Sequence, residues 1–247
     1  MRKVTIRVLG CGDAFGSGGR MQSSFFVASA ASRFLIDCGA TSLVAMNRQD
    51  LDPATIDAVL LSHLHGDHFG GLPFLLLQAQ YVGRRTRPLV VAGPAGTERR
   101  VLDALEVLFP GSSKLTWRFP LSFIELRPED DQKIGELAIR AYPVEHPSGA
   151  PSLALRVRVG DRIIAYTGDT RWTDTLLAVA RDADIFLAEC YSYDQNASYH
   201  LNYRTLFARR PALRTKRLVL THMSETMLEK LDQIELEMAE DGMLLEI

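Results

Sequence analysis

The sequence has few cysteines, no long apolar run and no large excess of charge of either sign, and each absence removes a class of protein. Cys11, Cys38 and Cys190 are its only three cysteines. An odd number without CxxC spacing excludes a disulfide framework and fits a reducing cytoplasm. No stretch approaches the roughly 20 apolar residues of a membrane span. The opening MRKVTIRVLG passes from two positive charges into the alternation of Val4, Ile6 and Val8, which reads as a strand and not as a signal peptide. A formal net charge of -2 over 247 residues gives no general attraction to nucleic acid or anionic lipid. Low-complexity tracts, solenoid-period repeats and long linkers are missing as well. A single domain over residues 1–247, with no membrane partner, is the simplest expectation.

What is present is a series of short β-branched and apolar runs, each bounded by Gly, Pro or Asp. They cover 4–9, 25–28, 34–38, 58–62, 89–92, 121–126, 137–144, 153–159, 162–167, 184–188 and 217–221. Helical periodicity predicts helices near 41–48, 70–82, 95–108, 173–182, 202–209 and 225–239, while 127–133 is polar and reads as a surface loop. Hairpin-length turns such as Gly160-Asp161 favour two packed sheets flanked by helices over one parallel sheet.

Only six histidines occur, and their placement carries the functional argument. Ser62-His63-Leu64-His65-Gly66-Asp67-His68 puts three imidazoles and a carboxylate directly after the apolar run ending at Leu61. In a plain core every one of those ring nitrogens would need its own partner; as a set they form a dense group of metal donors. His146 and His222 follow apolar runs in the same way, Asp169 follows the run ending at Tyr166, and His200 sits in the polar stretch Ala197-Ser198-Tyr199-His200. Taken singly, these are ordinary loop histidines and a helix cap. Their joint occurrence behind HxHxDH is what points to a site.

In this order, His63, His65, Asp67, His68, His146, Asp169 and His222 resemble the ligand set of the metallo-β-lactamase superfamily. HLHGDHFGGLPFLL (63–76), PLVVAGPAGT (88–97), YTGDTR (166–171) and LVLTHMS (218–224) are similar to its ribonuclease Z branch and the cyclic-phosphodiesterase relatives of that branch. The resemblance implies an α+β fold, a four-layer αββα sandwich with the site at one edge. It also implies two divalent metal ions, zinc first, with manganese or iron as alternatives. One would be held by His63, His65 and His146, the other by Asp67, His68 and His222, with Asp169 bridging. Such a pair lowers the pKa of a bridging water toward neutrality, so that hydroxide is available at pH 7, and polarises the electrophile. No protein nucleophile is then required.

A phosphodiester also needs a proton for its leaving alkoxide. Glu189 and His200 resemble the glutamate–histidine pair to which the ribonuclease Z branch assigns that task, so His200 is expected as general acid, Glu189 as its orienting partner, and Asp67 completes the catalytic set. Leu201-Asn202-Tyr203 replace the small hydroxyl residues usual after that histidine, which counts against ribonuclease activity more than against acid catalysis. Only 22 residues lie between His146 and Asp169, too few for the tRNA-gripping arm of the long bacterial enzymes. The basic clusters Arg84, Arg85, Arg87 and Arg209, Arg210, Arg214, Lys216, Arg217 lack interleaved aromatics and read as solvated faces. The expected partner is therefore a small-molecule phosphodiester or ester, ahead of RNA, and the resemblance admits a homodimer.

A carboxylic-ester or lactone hydrolase using the same ligands is the main alternative, with a ribonuclease Z-like tRNA 3′-end endonuclease beside it. A flavodiiron-type or dioxygenase role would substitute or add carboxylates in the motif, and a silent binding module would have lost ligands. Gly10, Gly12 and Gly16 evoke a dinucleotide loop, but Phe15 occupies the third glycine position of GxGxxG, so the segment reads as a turn-rich loop whose Ser17–Gly19 could touch substrate. Ser62 and Ser224 are candidates for hydrogen bonding to the neighbouring ligands. Cys38 and Cys190 are expected as buried packing residues.

Overall fold

Strand alternation decides which residues face which layer. Phe34 and Ile36 join one hydrophobic cluster and Leu35 another. The computed structural model describes residues 3–195 and 197–247. In the first half, strands β1 (Thr5–Gly10), β2 (Ser24–Ala28), β3 (Arg33–Ile36), β4 (Ala58–Leu60), β5 (Leu89–Gly93) and β6 (Leu121–Glu125) are interleaved with helices α1 (Ser42–Arg48), α2 (Gly66–Phe69), α3 (Leu72–Leu77) and α4 (Thr97–Leu108). The second half supplies β7 (Asp131–Ile134), β8 (Leu137–Val144), β9 (Ser152–Val159), β10 (Arg162–Tyr166), β11 (Ile185–Glu189), β12 (Leu218–Thr221), β13 (Glu237–Met238) and β14 (Leu244–Glu246). Its helices are α5 (Thr175–Ala180), α6 (Tyr203–Arg209) and α7 (Glu225–Leu228).

The strands form two seven-stranded sheets, ordered β14-β1-β2-β3-β4-β5-β6 and β13-β12-β11-β10-β9-β8-β7. Both mix antiparallel hairpins with parallel pairs, β3-β4-β5-β6 in one sheet and β10-β11-β12-β13 in the other. Val8, Phe25, Ile36 and Leu60 of the first sheet meet Leu155, Val157, Ile164 and Leu187 of the second in one buried cluster. Each outer face has its own cluster with the helices, Leu72 and Val101 on one side, Leu176 and Leu206 on the other. This is the expected αββα sandwich. Among the described residues, no helix is long and apolar enough to cross a membrane.

Two local expectations of secondary structure are corrected. The polar stretch 127–133 is not all loop, because Asp131–Ile134 pairs antiparallel with β8 through the Gly135-Glu136 turn, where Gly135 has φ 56°. It is a sheet edge, and edge strands tolerate charged side chains. The helix expected over 225–239 stops at Leu228, and Glu237–Met238 pairs in parallel with β12. Pairing with an existing strand outweighs weak helical periodicity in a short polar segment. β14 closes the first sheet against β1, Ile6 opposite Leu245.

The basic clusters are largely engaged within the fold. Arg85 is buried and donates to the carbonyls of Ala54, Ile56, Arg87 and Pro88, which corrects its reading as solvated. Arg214 pairs with Asp182, Lys216 with Asp184 and Arg217 with Glu237.

Candidate metal centre

The loops that leave the carboxyl ends of the central strands converge at one rim of the sandwich. The β4–α2 turn carries His63 and His65, α2 carries Asp67 and His68, β8 leads to His146, β10 to Asp169, β11 ends on Glu189 and β12 leads to His222. The chain reaches Asp169 through Gly168, at φ 58°, where an added Cβ would lie 2.8 Å from Ser62 Cβ and 2.9 Å from Leu153 O. Glycine is required there because the two site loops touch. His222 itself has φ 58°, held by its N–H donating to Cys11 O at 2.9 Å. Left-handed backbone in a non-glycine residue persists only where surrounding structure enforces it.

The seven side chains that resemble ligands come together as two donor groups. His63, His65 and His146 form one, with His146 Nε2 3.0 Å from His65 Nδ1. Asp67, His68, Asp169 and His222 form the other. Asp169 Oδ2 lies 3.2 Å from His222 Nε2, 3.8 Å from His63 Nε2 and 3.9 Å from His146 Nε2, and Oδ1 lies 3.3 Å from His68 Nε2. One carboxylate therefore reaches both groups. Nε2 of His63, Nε2 of His68 and Oδ1 of Asp169 are buried and make no hydrogen bond among the described residues. Buried polar atoms rarely go unpaired, and lone pairs converging on a shared space are what a cation satisfies.

Burial holds the imidazoles of His63, His146 and His222 below their ordinary pKa, so they are neutral. Burial opposes ionisation of Asp169 and Asp67, but the surrounding imidazoles, His222 and His68 foremost for Asp169 and His68 for Asp67, keep both well below the usual carboxylate range. Neutral imidazole and ionised carboxylate are the states a metal needs. His68 differs: burial disfavours its cation, yet the carboxylates of Asp169, Asp67 and Asp37 raise it well above the usual range. A cation at Nε2 would stand where that proton stands.

On four of the five imidazoles the other ring nitrogen is held from behind. His63 Nδ1 lies 3.0 Å from Ser62 Oγ, and His146 Nδ1 lies 3.2 Å from Tyr199 O. His222 Nδ1 lies 3.2 Å from Ser23 Oγ, and His68 Nδ1 lies 2.7 Å from Asp37 Oδ2. Ser62 is thus adjacent to a donor as expected. Ser224 is not: its Oγ donates to Tyr191 O at 2.6 Å. Ser17 donates through N and Oγ to Asp13, in the loop bridged to the His222 segment by Gly12 and Met223. Asp37 and Ser23 were not singled out from the sequence. The signal for Asp37 was a carboxylate inside an otherwise apolar run, 34–38.

His200 and Glu189 meet beside the cluster. His200 Nδ1 lies 3.0 Å from Glu189 Oε2, while Glu189 Oε1 accepts from the Thr170 backbone N–H. Burial works against the His200 cation, but the hydrogen bond and charge of Glu189 raise it to about 8. Burial also pushes Glu189 up to about 8, against the His200 hydrogen bond. Because two N–H donors converge on the Glu189 carboxylate, the proton of the pair belongs on the imidazole. Cys38 and Cys190 are buried, as expected, and so is Cys11.

Residues 4–243 match the family described as anti-Pycsar protein Apyc1. The chain is similar to a ribonuclease Z of Methanosarcina acetivorans, 24% identical over 94% of this chain and 91% of the relative. It is also similar to the probable metallo-hydrolase YhfI of Bacillus subtilis, 27% identical over 89% of this chain and 87% of the relative. The crystal structure of YhfI, described as a metallo-β-lactamase fold protein, superposes with a TM-score of 0.79 over the whole of both chains at 24% identity. Human tRNase Z, short form, superposes with a TM-score of 0.79 over 98% of each chain at 25% identity.

Proposed function

The chain belongs to the family of the anti-Pycsar protein Apyc1, within the ribonuclease Z and phosphodiesterase branch of the metallo-β-lactamase superfamily, and on that premise we propose that it is a dinuclear-metal-dependent hydrolase of small or cyclic phosphodiesters. Its relatives are named as hydrolytic enzymes, a ribonuclease Z and a probable metallo-hydrolase. The observation that carries the reading is the pair of donor groups joined by Asp169, with the Glu189–His200 pair beside them.

In this reading His63, His65 and His146 would hold one cation and Asp67, His68 and His222 the other, with the Asp169 carboxylate available to both donor groups. Five imidazoles and two carboxylates are a borderline donor set that suits zinc, with manganese and iron as alternatives. When bound, the pair supplies an activated water and polarises the phosphoryl oxygens. The chain's own residues do the rest. Asp37, Ser62, Ser23 and the Tyr199 carbonyl fix the ligand rings from behind. His200, oriented by Glu189, gives its Nε2 proton to the leaving oxygen.

RNA is the less favoured substrate, although relatives are named ribonuclease Z. β9 and β10 are joined by the short turn Gly160-Asp161, and Arg214, Lys216 and Arg217 of the second basic cluster are engaged by acidic side chains of the fold. Metal analysis of protein purified without chelator, followed by parallel assays on bis(p-nitrophenyl) phosphate, a cyclic nucleotide and a lactone, tests the proposal. Metal-bearing protein active on the phosphodiesters is expected. Activity confined to the lactone, or metal-free protein inert after zinc or manganese is added, overturns it.

A further inference from the structure

β11 ends on Glu189 and runs on into Cys190 and Tyr191, and the two-residue alternation of the strand carries past its end. Cys190 turns into the helix-side core, while Glu189 and Tyr191 both reach His200. They do so in different directions. Glu189 hydrogen-bonds at the ring edge, at Nδ1. The Tyr191 ring covers a face of the imidazole, with centroids 4.6 Å apart and planes 25° from parallel.

The two contacts restrain different motions. A hydrogen bond at Nδ1 fixes where that nitrogen points but lets the ring tilt about the bond. The χ2 torsion of histidine is broad and adds little restraint. A flat face at stacking distance removes the tilt, and with it the freedom of Nε2 to swing away from the space between the donor groups. The backbone of Tyr191 is itself tied on both sides. Its N–H donates to Leu201 O at 2.9 Å, and its O accepts from Ser224 N at 3.0 Å and Ser224 Oγ at 2.6 Å. One residue thereby joins the loop carrying His200 to the loop carrying His222, and its ring also lies 6.2 Å from that of His222.

We propose that Tyr191 is a positioning residue for the proton donor: its ring sets the plane of His200 so that Nε2 faces the leaving oxygen. This rests on the reading of His200 as the acid. Stacking is a property of the aromatic face and does not need the hydroxyl. Phenylalanine should therefore serve in its place, while leucine or methionine should not.

The test compares zinc-loaded wild type, Tyr191→Phe, Tyr191→Leu, Tyr191→Met, His200→Ala and the double variant Tyr191→Leu/His200→Ala. The substrates are aryl phosphodiesters graded in leaving-group acidity, and zinc content and melting temperature are measured alongside. Misplacing a reacting group by a fraction of an ångström costs on the order of 10-fold. Tyr191→Leu and Tyr191→Met should lose about that much in kcat on the poorest leaving group, with p-nitrophenolate release and KM little changed, and Tyr191→Phe should stay within about 2-fold of wild type. In the double variant the leucine should add nothing to the loss from His200→Ala, because the two residues act as one unit. If His200→Ala shows the graded loss while Tyr191→Leu and Tyr191→Met lose activity equally on every substrate, or if the double variant is additive, the role of Tyr191 is overturned and the acid stands. If His200→Ala is itself insensitive to the leaving group, the acid reading is overturned and Tyr191 loses its role with it.

Discussion

Asp37 Oδ2 lies 2.7 Å from His68 Nδ1, and the pair joins the end of β3 to α2 across 31 residues of sequence. The same carboxylate accepts from Ser62 N at 2.7 Å and Ser62 Oγ at 2.8 Å, and Ser62 in turn lies against His63. One buried anion thus orients imidazoles of both donor groups. Partners that hold a ligand's second nitrogen are typically worth 10- to 100-fold in metal affinity. Asp37→Asn, titrated with zinc against a chromophoric chelator, should weaken binding by about that range; unchanged affinity would show that the carboxylate does not serve the metals.

His200→Ala and Glu189→Gln should slow turnover of a phosphodiester with a poor leaving group by about 10²- to 10⁴-fold while leaving metal content intact. The contrast with bis(p-nitrophenyl) phosphate is the check, because p-nitrophenolate leaves without a proton. An equal loss on both substrates would count against proton donation.

Stripping the metals should destabilise the fold, because it leaves His63 Nε2, His68 Nε2 and Asp169 Oδ1 buried without partners. Zinc restored to about 100 times its dissociation constant should return about 2.7 kcal/mol. At about 2–4 °C per kcal/mol for a chain of this size, the melting temperature should rise by roughly 5–10 °C. A thermal scan before and after zinc addition measures it.

Asp184 offers a pH test remote from the site. Burial opposes its charge, but hydrogen bonds from Lys216 at 2.7 Å, Ile163 N at 2.8 Å and Arg162 at 3.1 Å hold it below the ordinary carboxylate range. A depressed carboxylate contributes stability that is complete above its unfolded pKa, about 3.9, and lost as pH falls through the folded value. Asp184→Asn should therefore cost about 1–2 kcal/mol at pH 7 in urea unfolding, with the gap from wild type closing below about pH 4. A gap that persisted unchanged at low pH would refute the charge-based account.

The three thiols should be inert in the native protein. Burial pushes Cys11 and Cys38 up to about 12, and Cys190 is raised by the same cause. Since the thiolate is the reactive form, an aromatic disulfide reagent should titrate none of them until denaturant is added, and then all three. Fast reaction of any one in native protein would contradict its burial.

The strand alternation, the Gly160-Asp161 hairpin and the order of the metal donors were legible because each is local: period, turn chemistry and motif spacing lie within a few residues of one another. HxHxDH after an apolar run says metal before any coordinates exist, and Glu189 and His200 could be paired by their resemblance to a known glutamate and histidine. β7, β13 and β14 were not legible. Their sequences are short or polar, and each becomes a strand only because a neighbouring strand offers its open edge.

The sequence by itself determined which residues carry the chemistry and the layers in which they must lie, since donor type and apolar period belong to the chain. Only the tertiary structure decided that Asp169 stands between two groups of histidines, that Asp37 backs His68 and that Tyr191 lies flat on His200. Those relations depend on register and on loop approach between elements tens of residues apart. Alternation constrains which face a side chain takes and says nothing of which distant strand will stand beside it.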